Sequence, residues 1–234
     1  MLNGINILTV RFANEIRSDE VPLLRGAVIN ATEGASALFH NHAEDDRLRY
    51  AYPLIQYKRI GGKAAIVCLG EGTEAIGQFF ASCRFDVRLG DRPLTLEVES
   101  VKANRFTLQA WDDLFAYRIS RWMPLNAENY RAYCQAEGLS DKVDMLERML
   151  RGNILSMAKG LGIHFERQVV ATVTKLGEPK AIYYKGVKMM GFDASFKTNV
   201  SLPNHIGLGK GVSIGNGMVV RWERKIKNSD DKEK

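Results

Sequence analysis

Cysteine and histidine are both scarce in this chain of 234 residues, at three and four respectively. The cysteines, Cys68, Cys83 and Cys134, are widely spaced, form no C-x-x-C pair and cannot all pair off within one chain, so neither a disulfide framework nor a zinc ribbon is indicated. A reducing cytoplasm is the expected compartment. No apolar run approaches the ~20 residues of a membrane span, and the opening "MLNGINILTVRF" alternates like a strand where a signal peptide would need a long apolar block. No membrane partner is expected. Two phosphate-binding signatures are missing as well. The triphosphate loop G-x-x-x-x-G-K-[ST] fails because Lys210 is followed by Gly211, and the dinucleotide fingerprint fails because its glycines would have to open a helix. Metal-ligand residue types gather only as His40, His42, Asp45 and Asp46, with no second cluster to complete a site, so neither metal nor cofactor is expected.

What the chain does have is glycine near its end and an uneven positive charge. "HIGLGKGVSIGNGMVV" holds Gly207, Gly209, Gly211, Gly215 and Gly217, followed by β-branched strand character. Glycine permits positive φ and close backbone approach at an entropic cost, so the cluster reads either as a bulged hairpin or as a cradle for a polyanion. Net charge is +6, and the segment from Lys185 to Lys227 carries eight cations against Asp193 and Glu223, an excess equal to that of the whole chain. Such a region is a solvated face or a polyanion-binding face.

With 45% hydrophobic residues, 234 positions suffice for two ordinary domains. Residues 4–12 read as a strand and "SDEVPLLRGAVINATEGASALFHNH" as a helix, capped at Ser18 or Asp19, with Leu24, Val28, Ala31, Ala35 and Leu38 on one face. "LRYAYPLIQYK" and "KAAIVCLG" form a hairpin across Gly61 and Gly62; "EGTEAIGQFFASC" is a second helix and "PLTLEVESV" a fourth strand. The order β-α-β-β-α-β is the ferredoxin-like motif. The second half repeats strands, helices and strands. Its elements are "RFTLQAW", "LFAYRISRWMPL", the helices "NAENYRAYCQAEG" and "SDKVDMLERMLRGNILSMAKGLG" (the latter capped by Ser140), then "FERQVVATVTKL", "KAIYYKGVKMMG" and "FDASFKTNV". The expectation is an α+β protein of tandem ferredoxin-like domains, residues 1–103 and 104–227, with a helical insert in the second and a disordered tail at 228–234.

The tandem arrangement, the loop "GLGKGVSIGNGMV" before the final strand, and "LFHNH" followed by "YAYPLIQYK" together resemble the CRISPR-associated endoribonucleases that cut repeat RNA into guide RNAs, members of the repeat-associated mysterious protein superfamily. The loop is the most specific of the three. The helical stretch 126–160 departs from the basic family pattern and suggests a divergent subgroup. The resemblance implies RNA as partner, a CRISPR effector complex as recipient of the product, and a monomer or homodimer.

Metal-free RNA cleavage requires a base near the ribose 2′-OH, an acid at the leaving 5′-oxygen and positive charge on the phosphoryl oxygens. Histidine suits the first two roles because its ordinary pKa of ~6.5 allows both protonation states near neutrality. His40 and His42 are the candidates, with Lys58 as a third catalytic or phosphate-neutralising group. His164 and His205 are weaker candidates, His205 favoured by lying beside the loop. RNA binding is assigned to Gly207, Gly209, Lys210, Gly211, Gly215, Gly217, Arg59 and Lys197. Tyr50, Tyr52 and Tyr57 either stack on RNA or pack. The expected activity is a metal-independent endoribonuclease yielding a 2′,3′-cyclic phosphate. The alternative is a non-catalytic RNA-holding subunit on the same fold, for which a histidine pair has no use.

Overall fold

The computed structural model describes residues 4–32, 52–82 and 84–222. Strand β1 (Gly4–Glu15) has apolar residues on both sides, Leu8, Val10 and Phe12 one way and Ile5 and Ile7 the other. A 3-10 turn (Ser18–Glu20) leads into helix α1 (Val21–Ala31), where Pro22 occupies the first turn and its missing N–H costs no helical bond. Glu20, rather than Ser18 or Asp19, is the N-cap. The helix closes at Ala31, where the Thr32 hydroxyl donates back to the carbonyls of Val28 and Ile29 at 3.1 and 2.9 Å. Helix α1 thus carries Leu24, Val28 and Ala31 of the expected face, and the rest of the stretch expected to be helical, through "LFHNH", lies outside the described residues.

Strands β2 (Ile55–Ile60) and β3 (Lys63–Leu69) form the expected hairpin over Gly61–Gly62, followed by helix α2 (Gly72–Ser82). Strands β4 (Asp86–Leu89) and β5 (Arg92–Thr95) then make a small separate hairpin before β6 (Val98–Thr107). The run "PLTLEVESV" thus belongs to two strands. Leu96 is drawn into the core at 3% exposure with its N–H on the Phe85 carbonyl at 2.8 Å, and this breaks the run. The sheet order β2-β3-β1-β6, all antiparallel, is that of a ferredoxin-like domain, with α1 and α2 on one face.

The second sheet begins with β7 (Ala110–Trp122), and because β6 pairs with β1 as far as Thr107 the change of sheet falls a few residues after the expected 103/104. Helices α3 (Ala127–Gln135) and α4 (Leu139–Gly160) follow. Gly138, not Ser140, is the N-cap of α4, and Leu146, Leu150, Ile154, Met157 and Ala158 are its buried stripe. Strands β8 (Ala171–Leu176), β9 (Lys180–Tyr184), β10 (Val187–Val200) and β11 (Met218–Arg221) complete the domain. Two expected strands, "KAIYYKGVKMMG" and "FDASFKTNV", are recut by the turn at Lys185–Gly186 into a short β9 and a long β10. The order β11-β7-β10-β8 repeats the ferredoxin-like sheet, so the fold is a tandem of two such domains. Between β10 and β11, where the second helix of the motif would lie, the chain forms the glycine-rich loop with a single 3-10 turn (Val212–Ile214).

One core joins the two sheets. Ile5, Ile7, Ala65, Val67 and Leu69 of the first sheet pack with Tyr117, Ile119 and Phe196 of the second and with the α4 stripe. Strand β3 is buried on both faces, Ala64, Ile66 and Cys68 facing α1 and α2 and Ala65, Val67 and Leu69 facing the second domain. This two-sided burial is why it reads as an unbroken apolar run.

Candidate functional site

The glycine loop is held first by itself. Gly207 bridges Met218, Leu208 N–H donates to the Gly217 carbonyl at 2.9 Å, Asn216 N–H to Gly211 at 3.2 Å, and Gly217 N–H to the Arg121 carbonyl at 3.1 Å. At Gly217 φ is +64° and a Cβ would land on the Leu208 carbonyl; at Gly211 φ is +69° and a Cβ would lie 2.7 Å from the Asn216 amide nitrogen and 3.2 Å from the Tyr184 ring. The bare backbone is therefore demanded by the loop's own folding. Asn216, 3% exposed, accepts a hydrogen bond from Arg121 Nε at 3.1 Å and gives the loop a polar pin that the sequence did not announce.

The loop is held next by the first domain. The Tyr52 hydroxyl donates to the Gly207 carbonyl at 2.8 Å, and the Gly207 N–H donates to Gln56 Oε1 at 3.0 Å. Lys58 Nζ donates to the Val212 carbonyl at 3.1 Å. Gly215 lies over Val21 of α1 and the Tyr57 carbonyl, so the loop runs along β2, the edge strand of the first sheet. Gln56 and Lys58 alternate with Ile55 and Tyr57 as a half-exposed strand would, yet all four are buried because the loop covers the polar side. Burial pushes the Lys58 ammonium down to about 7 and the Tyr52 hydroxyl up.

Lys58 is thus brought to the loop but beneath it, at 0% exposure, its ammonium committed to a carbonyl. Tyr52 and Tyr57 pack: the first serves the loop, the second is buried between β2 and the helices. Lys210 stands half-buried at the loop's middle, its N–H on the Met123 carbonyl at 3.2 Å and its ammonium lowered by burial. His205 enters the loop at φ +67°; burial, with Lys58 and Arg11 nearby, lowers its pKa below the ordinary value. Arg59 is exposed and its Nε donates to the Ile16 carbonyl at 2.6 Å. Lys197 is exposed on β10 opposite Ala116 and Thr172, on the same side of the second sheet as Arg118 and Lys175. His164 lines a separate cleft with Arg151, Lys159 and Arg167. His40, His42 and Tyr50 lie outside the described residues, as does the expected tail at 228–234. The chain that carries the two histidines rejoins the described structure at Tyr52, the residue bonded to Gly207.

Backbone donors are unevenly spent. Leu208, Ile214, Gly215 and Asn216 donate theirs within the loop, and Lys210 and Gly217 donate to the Met123 and Arg121 carbonyls, whereas among the described residues the N–H groups of Gly209, Gly211, Val212 and Ser213 meet no backbone or side-chain acceptor. Of these, Gly211 and Val212 are buried, while Gly209 and Ser213, like Lys210, are half-buried.

Two family models match the chain, the Cas6b N-terminal domain over residues 3–107 and the Cas6b C-terminal domain over residues 109–222. An uncharacterized protein of Methanocaldococcus jannaschii is 38% identical over 113 residues, 48% of this chain and 76% of that protein. A solved Cas6b structure superposes with a TM-score of 0.84 at 26% identity, covering 94% of this chain and 100% of that one. A second, described as the CRISPR RNA processing endoribonuclease Cas6b, gives 0.71 at 26% identity with the same coverage. A more distant type IV Cas6 crRNA endonuclease shares the fold, with a TM-score of 0.58 at 13% identity over 94% of this chain and 100% of that one. Both halves matched by models of the same name, in the observed order and meeting where β6 gives way to β7, place this chain in the Cas6b family.

Proposed function

We propose that the protein is an endoribonuclease that cuts CRISPR repeat RNA into guide RNAs without a metal, the 2′-OH upstream of the cut attacking the phosphate to leave a 2′,3′-cyclic phosphate and a 5′-hydroxyl. The observation that carries this reading is the glycine loop. The N–H groups of Gly209 and Ser213, which meet no acceptor among the described residues, and Lys210 suit an RNA phosphate, while Tyr52, Gln56 and Lys58, which follow the histidine segment in sequence, hold the loop from below. The neighbour described as a CRISPR RNA processing endoribonuclease supports the same substrate class. His40 is the acid–base group, His42 is the neighbour that orients the RNA or the catalytic ring, and the loop supplies charge stabilisation.

The test is incubation of the purified protein with repeat RNA in EDTA, with and without a 2′-deoxy nucleotide upstream of the cut. Cleavage is expected to survive chelation and to stop with the deoxy substrate. Loss in EDTA with tolerance of the deoxy sugar would indicate metal-assisted hydrolysis instead. Tight binding without any cut would favour the RNA-holding alternative, to which the exposed cations Arg118, Lys175 and Lys197 on the open side of the second sheet lend support.

A further inference from the structure

Beside the glycine loop, between α3 and the β9–β10 hairpin, lies a cleft of about 580 Å³. Leu125, Met189 and Met190 contribute its apolar lining, Tyr130 projects into it from α3 at 45% exposure, and Lys180, Lys188 and Lys210 are its cations. It is continuous with the loop: Lys210 belongs to both, and Tyr184 at the end of β9 leans on Gly211. Lys180 is paired with Asp193 at 2.6 Å, whereas Lys188 and Lys210 have no carboxylate partner among the described residues. We infer that this cleft is a subsite for one unpaired nucleotide of the same RNA whose backbone lies on the glycine loop, the base against Tyr130 and the methionines and its flanking phosphates between Lys188 and Lys210.

Three features favour a nucleotide over other occupants. The volume falls in the range of small-ligand sites, an apolar floor with an aromatic side is the usual platform for an unstacked base, and the Lys188 and Lys210 ammonium groups, without a carboxylate partner among the described residues, match phosphodiester charge. Burial lowers the pKa of Lys210, so a phosphate there would restore a favourable environment for its charge. The α3 wall belongs to the helical stretch that sets this chain apart from the basic pattern, so the subsite would add contacts beyond the loop itself. The inference rests on the proposed RNA-cleaving function.

The test uses the full chain and repeat RNA made uncleavable by a 2′-deoxy nucleotide, with affinity read by fluorescence anisotropy. Tyr130 and Lys188 are exposed, so Tyr130→Ala and Lys188→Glu should leave the thermal unfolding curve unchanged. Each is expected to weaken binding by about fivefold or more, the scale of one lost base stack. Shortening the RNA one nucleotide at a time from either end should produce a step at which wild type weakens by the same factor and both variants become indistinguishable from it. Variants that bind every RNA as tightly as wild type, while Lys210→Ala binds less tightly, would overturn the subsite and leave the loop reading intact. Absence of repeat-RNA binding by wild type would overturn the parent function, and the subsite with it.

Discussion

Lys58 and the histidine pair define the problem at the scale of single residues. A fully buried lysine with a single carbonyl partner among the described residues destabilises the protein when charged. Its folded pKa, about 7, lies below its ordinary value of 10.5, so between these limits the unfolded chain binds more protons than the folded one. Stability therefore rises with pH through this window and the penalty is full below it. Lys58→Met removes the penalty, so its melting temperature should exceed that of wild type at pH 6.5, with the difference shrinking as pH approaches 10. A constant difference across that range would show that the ammonium is not desolvated. The variant also loses the bond to Val212, and if that bond positions the loop, RNA cleavage should fall even where stability improves. For the histidines, His40→Ala is expected to slow cleavage by ~10²-fold with RNA affinity nearly unchanged, the scale of a lost acid–base group. Reversed sensitivity, with His42→Ala the severe variant, would exchange their roles; wild-type rates in both would move the site elsewhere.

At the scale of elements, the glycine cluster left two readings open, a bulged hairpin or a polyanion cradle. The atoms that crowd a Cβ there belong to Leu208, Asn216, Trp122 and Val21 of the protein itself, which accounts for the glycines by the loop's own folding and makes phosphate contact a separate property. Gly209→Val and Gly215→Val should each cost about 1–3 kcal/mol through the left-handed backbone their φ values of +87° and +86° require. They should weaken RNA binding through misfolding of the loop. Lys210→Ala should leave the melting curve unchanged while lowering affinity and reducing the salt slope by about one unit, as loss of a single phosphate contact does. Comparing the two classes separates support from contact. Sequence alone could identify the loop, because glycine spacing is local. It could not identify the clamp, because Gln56 and Lys58 carry the same alternation whether water or a loop from 150 residues away covers them.

At the scale of the molecule, most of the architecture was legible and the seam between its halves was not. Periodicity marked β1, the β2–β3 hairpin, α2 and α4 because each buries a regular face, whereas "PLTLEVESV" divided and β6 ran past the expected boundary because pairing with β1 is a long-range choice. That pairing has an energetic consequence. Ile5, Ile7, Val67 and Leu69 look away from α1 and α2 into a core shared with Tyr117, Phe196 and the α4 stripe, so neither half covers its apolar surface alone. The full chain should unfold in one cooperative transition by calorimetry, although it is a tandem of two recognisable domains. Val67→Asp places an unpaired carboxylate at 0% exposure in that shared core, which should cost at least ~3 kcal/mol and lower the melting temperature by roughly 6 °C or more. A fragment ending at residue 107 should expose the same strand faces, bind a hydrophobic dye and lack a sharp transition. A fragment that melts cooperatively, or a full chain with two resolved transitions, would mean that the halves fold independently and that the shared core contributes little.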